Sequence, residues 1–120
     1  MTFAQEKKCR AIIHGASVAA AGVGAGLAQL PGSDNAVIVP IQVGMIISLG
    51  AVFGVALSHS AAEATLATAT ASLVGRGISQ FLVGWIPVAG NVINATTAAA
   101  VTETIGWTVA NDFDKKALYE

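Results

Sequence analysis

The sequence predicts an all-α fold: two tandem helical hairpins forming a four-helix transmembrane bundle. Three observations carry that expectation. Hydrophobic types make up 54% of the 120 residues and charged types only 11%, under half of the roughly 25% usual in soluble domains. Between residues 11 and 110 there are four formal charges, Asp34, Glu63, Arg76 and Glu103, while the other nine crowd into the two ten-residue ends. Clusters of turn formers separate the uncharged stretches. A chain of this length holds one core.

Residues 1–10 form a polar N-terminus with Glu6, Lys7, Lys8 and Arg10. Residues 11–30 carry no formal charge; as a helix they would be roughly 30 Å long, the thickness of a bilayer's hydrocarbon core. This run is too long for a typical signal-peptide core and ends in no small-residue cleavage site, so it is expected to be retained. It stops at a turn, Pro31-Gly32-Ser33-Asp34-Asn35. A second uncharged run, residues 36–57, holds Pro40 near its start, where proline costs little. These two runs make the first hairpin, about 11–57.

Ser58-His59-Ser60 leads into the second hairpin, about 61–110. Its first helix, residues 61–85, is Ala- and Thr-rich and contains Glu63 and Arg76. A turn holding Pro87 and Asn91 follows, and residues 92–110 form the fourth helix, which contains Glu103. A polar tail, residues 111–120, completes the chain. The halves repeat at a spacing of 56 residues: Pro31 matches Pro87, Asn35 matches Asn91 and Gly50 matches Gly106. Such a repeat fits tandem helical hairpins.

Lys7, Lys8 and Arg10 flank the first span and Lys115 and Lys116 follow the fourth, whereas neither hairpin turn contains Lys or Arg. Four spans put both termini on one side, and the basic residues place that side in the cytoplasm. Trp85 and Trp107 suit the two interfacial belts. The competing expectation is a water-soluble oligomer or an aqueous lumen, because the third and fourth helices are rich in threonine. Small residues set the packing: Gly22 with Gly26, Gly50 with Gly54, and Ala11-Gly15-Ala19 form small-xxx-small steps. In lipid such steps let backbones approach closely, within one protomer or between protomers.

Arg76 lies eleven residues before Pro87 and Glu103 twelve after Asn91. In an antiparallel hairpin both would sit roughly 16–18 Å from the turn. A buried unpaired charge costs about 2.5–3.5 kcal/mol on insertion scales, so a register-fixing ion pair between them is expected. A charged ring around a pore is the functional alternative. Thr68, Ser72 and Gln80 extend a polar seam through Arg76 at i, i+4 spacing. His14 and His59 stand alone, and no spacing resembles a zinc site. Cys9, beside basic residues, could accept palmitate, although a plain reduced thiol is the simpler expectation; a single cysteine excludes an intrachain disulfide.

No P-loop, no complete G-x-G-x-x-G and no Ser/His/Asp constellation is present, so no catalytic residue, cofactor or metal is assigned. A net charge of −1 and a pI near 6.0 argue against a phosphate-neutralising nucleic-acid binder.

Several segments together carry a resemblance. They are Ile12-Ile13-His14-Gly15-Ala16, Leu30-Pro31-Gly32-Ser33-Asp34, Ile41-Gln42-Val43-Gly44-Met45-Ile46, Val74-Gly75-Arg76-Gly77-Ile78-Ser79-Gln80, Leu82-Val83-Gly84-Trp85-Ile86-Pro87, and Gly90-Asn91-Val92-Ile93-Asn94-Ala95-Thr96-Thr97-Ala98, with Glu103 and Gly106-Trp107 beyond. On these, residues 11–114 resemble a bacterial family of unknown function. It includes the helical membrane domain that follows the GTPase domain in Era-like GTPase proteins, and YcjF-type membrane proteins. The resemblance implies a bacterial inner membrane and a partner GTPase or membrane-remodelling setting. It does not carry over nucleotide hydrolysis. The expected function is a non-enzymatic scaffold, anchor or pore that meets membrane lipid and further copies of itself. The alternatives are a pore-forming, bacteriocin-like toxin and an accessory subunit of a larger membrane complex.

Overall fold

The computed structural model describes residues 1–26, 33–76 and 95–119. Within them the chain is all-helical, with four helices and no strand: α1 (Phe3–Gly26), α2 (Ser33–Val52), α3 (His59–Gly75) and α4 (Ala95–Tyr119).

The polar ends belong to helices. Thr2 Oγ1 accepts the Gln5 N–H at 3.1 Å and Gln5 Oε1 accepts the Thr2 N–H at 2.9 Å. This reciprocal pair is a capping box, and it starts α1 eight residues ahead of the uncharged run. At the other end, the buried stripe Ala98, Val101, Thr102, Ile105, Val109, Ala110 and Phe113 keeps helical spacing past residue 110. α4 therefore continues through the charged tail.

Between α2 and α3 the turn is tight. Gly54 has φ +75°, the left-handed conformation that glycine adopts without penalty. The Val55 N–H donates to the Gly50 carbonyl at 2.8 Å and the Gly54 N–H to that of Ala51 at 3.2 Å, closing a Schellman motif. A Cβ at Gly50 would lie 2.9 Å from both Leu57 Cδ1 and the Val55 carbonyl oxygen. Ser58 then caps α3 by accepting the Ala61 N–H at 3.1 Å. Gly50 and Gly54 thus shape a helix end; they do not form a helix-packing step.

The core is a three-helix stack with α3 laid against it. α1 packs most extensively on α4, and the α3–α4 pairing is slight beside it. The two hairpins are therefore not separate units. Successive layers fix the register: Ala20 with Ile38 and Ala98; Gln42 with Thr102; Ile13 and Met45 against Gly106; Phe53 with Phe113, ring centroids 6.4 Å apart. α1 runs antiparallel to α4, and α2 runs parallel to it. Ala62, Leu66, Ala69 and Leu73 seat α3. Three junctions consequently meet at one end: the start of α1, the α2–α3 turn and the end of α4. Most described charges gather there; Asp34, Arg76 and Glu103 do not.

Among the described residues no helix is long and apolar enough to cross a membrane. In α1, α3 and α4 glycine, serine and threonine lower hydropathy without adding charge, and α1 and α4 also include the charged ends. α2 is the most apolar of the four and α3 has almost no distinct polar side. The threonine hydroxyls bond inward: Thr65, Thr68, Thr104 and Thr108 each donate to the carbonyl four residues earlier, at 2.8–3.0 Å.

The α1–α4 register yields a paired test. A Cβ on Gly106 would lie 2.7 Å from Ile13 Cγ1 and 3.1 Å from Met45 Sδ, whereas one on Gly15 meets nothing within 4 Å. Gly106→Ala should lower stability by about 1–3 kcal/mol through overpacking. Gly15→Ala should raise it by up to about 1 kcal/mol through helix propensity. Denaturant melts of the two variants check this, and equal effects would contradict the register.

Candidate functional site

The outer face of α4 carries polar residues at helical spacing: Glu103, Trp107, Asn111, Asp112 and Lys115. α3 ends beside it. Arg76 is the C-cap of α3, its N–H donating to the Ser72 carbonyl at 3.1 Å. Together these residues line a cavity of about 410 Å³. The antiparallel run of α3 against α4 explains the meeting: Thr65 and Thr68 lie level with Phe113 and Lys116, so the end of α3 falls near Glu103.

Arg76 and Glu103 thus face one cavity, as opposite charges on neighbouring helices. No ion pair closes between them. Among the described residues the ion pairs are Met1 N with Asp114 at 2.9 Å, Arg10 with Glu6 at 3.0 Å and His59 with Glu63 at 2.8 Å. All lie at the charged end. The cavity holds two cations, Arg76 and Lys115, and two anions, Glu103 and Asp112. Both Arg76 and Glu103 are exposed.

Of the polar seam, Thr68 and Ser72 are exposed on α3, and Gln80 lies outside the described residues. Pro31, Pro87, Asn91 and Trp85 also lie outside them; Asn35 falls in the first turn of α2. Gly15 and Gly22 sit on the exposed side of α1, open to a neighbour, and Gly26 is its last residue. Gly106, read in the sequence only as part of a repeat, is a point of close helix approach among the described residues, a Cβ there lying 2.7 Å from Ile13 Cγ1. His14 is exposed.

Cys9 is fully buried between α1 and the core and is free. Burial pushes its thiol above the ordinary value, with the Asp114 carboxylate adding to the effect. A thiol in that position is not presented to an acyl donor. Among the described residues no His, Cys, Asp and Glu cluster could hold a metal ion.

Sequence reasoning missed one core feature. Gln42 and Thr102 are both fully buried, and Gln42 Nε2 donates to Thr102 Oγ1 at 3.1 Å. Gln42 Oε1 and the nearby-level Ser17 Oγ have no partner. A lone glutamine inside the uncharged run 36–57 was the available signal. A single polar layer of this kind favours one register over its slipped alternatives.

Two measurements follow. Thr102→Val leaves the buried Gln42 amide without an acceptor and should cost about 1–3 kcal/mol. Adding Gln42→Leu should recover part of that loss, and melts showing simple additivity would count against the pairing. For Cys9, the folded state holds its proton more tightly than the unfolded chain. Its contribution is therefore complete below the ordinary thiol value and is lost as pH rises through the raised one. Stability should fall on that alkaline side in the parent chain, and Cys9→Ala should flatten the fall.

Comparison with protein-family models, with curated proteins and with solved structures finds no match.

Proposed function

We propose that this chain is a small non-enzymatic protein that self-assembles through its uncharged helix faces at a bacterial inner membrane. It acts there as a scaffold or anchor, with its charged end in the cytoplasm. One observation carries the reading. The charged end holds exposed Glu63 of α3, and the exposed charges of α4 are Glu103, Asp112, Lys115 and Lys116. Away from these, the exposed positions 11, 14, 15, 18, 19 and 22 of α1, 40, 44, 48 and 51 of α2, and 64, 67, 68, 71, 72, 74 and 75 of α3 include no formal charge. Val18 and Val74 are 58% and 40% exposed among them. A helix bathed in water places lysine and glutamate there. Faces of alanine, glycine, threonine and valine are suited to being covered, by lipid or by further helices.

The segregation of charge supports the orientation. The start of α1 and the end of α4 share one end, which holds Lys7, Lys8, Arg10, Lys115 and Lys116, and the bundle presents them as a unit. Since no described helix is apolar enough to cross alone, membrane residence would belong to the assembled bundle and not to separate spans. The segments resembling the helical domain of Era-like GTPase proteins make a GTPase the first partner to seek.

Membrane fractionation followed by native mass measurement in mild detergent tests this. The expected result is carbonate-resistant membrane protein whose particle mass is a multiple of the 12.0 kDa protomer. A folded monomer of that mass in detergent-free buffer would overturn it.

A further inference from the structure

We infer that the Arg76–Glu103 cavity is half of a two-fold interface, completed by a second copy of this chain, so that each Arg76 meets Glu103 of the partner subunit. The inference rests on the self-assembly proposed above and names the surface that carries it. Four charged groups line this cavity, two of each sign, and none makes an ion pair with a described residue. Residues 77–102 contain no ionisable side chain, so that connecting stretch has no charge with which to neutralise them. The neighbouring outer positions 64, 67, 68, 71, 72, 74 and 75 on α3 are uncharged, and the cations of the cavity are Arg76 and Lys115.

Covering that flank while leaving Arg76 and Glu103 unpaired would strand two charges in a poorly solvated place, a costly outcome. A two-fold axis through the cavity resolves both at once. The interface is then self-complementary, because residue i meets j and j meets i. Approach is easy: Gly75, next to Arg76, has nothing within 4 Å of where a Cβ would be. Trp107, half-buried on the cavity wall, supplies the aromatic anchor common at the centre of such contacts.

Charge exchange tests the inference on the full chain, by sedimentation and chemical cross-linking in mild detergent and in buffer. Arg76→Glu and Glu103→Arg, taken singly, place like charges across the axis and should each weaken association by about tenfold or more. An equimolar mixture of the two variants should restore it, since both contacts between unlike copies are then attractive. Restoration only when both changes sit in one chain would show a pair within the protomer and overturn the inference. Unchanged assembly in the single variants would overturn it too, leaving self-assembly through other faces intact. A wild-type chain that stays monomeric in every condition would remove the proposed function itself.

Discussion

Everything in this structure is conditioned by the scarcity of long polar side chains along the helix flanks. Alanine, glycine, threonine and valine do not hold a water shell as lysine and glutamate do. They also leave helix surfaces shallow, so stability must come from close backbone approach. The α1–α4 pair shows how this is met: Ile13 lies against the bare backbone of Gly106, with Met45 closing the third side. Charge is concentrated at one end, where the capping box, the Gly54 turn and the last turns of α4 come together.

The interior combines tight packing with one deliberate departure from it. Gln42 and Thr102, with Ser17 also buried, interrupt the apolar stack. Small apolar side chains on three helices can slide past one another with little change in contact. A hydrogen bond that survives in only one alignment removes that freedom, at some cost in stability because Gln42 Oε1 is left without a partner. Arg76 and Glu103 lie exposed outside the core and make no ion pair with each other, so the core's alignment is left to the neutral pair.

The all-helical class was legible because uncharged runs bounded by Pro, Gly and Asn admit few other readings. Helix ends were less so. The Thr2–Gln5 capping box is a written signal, yet the abrupt change in charge at residue 11 outweighs it when composition is read first. The Gly50–Gly54 step looks like a packing motif, because spacing alone cannot distinguish an in-helix contact from a left-handed turn. Arg76 and Glu103 come to one cavity because α3 and α4 run antiparallel, with Thr65 and Thr68 level with Phe113 and Lys116. Whether they touch depends on side-chain reach, which spacing does not encode. Gly106 eluded reading for a related reason: its partner Ile13 lies at the far end of the chain, and pairing between α1 and α4 leaves no local trace.

The inward hydroxyls of Thr65, Thr68, Thr104 and Thr108 alter what a hydropathy scale measures. Each donor is already spent on its own helix, so what remains available to the surroundings is a methyl group and the oxygen's two acceptor lone pairs. Residue by residue, such a scale charges these helices for desolvating four alcohols whose protons never faced outward. At these four positions the hydroxyl protons add less outward polarity to α3 and α4 than the letters suggest.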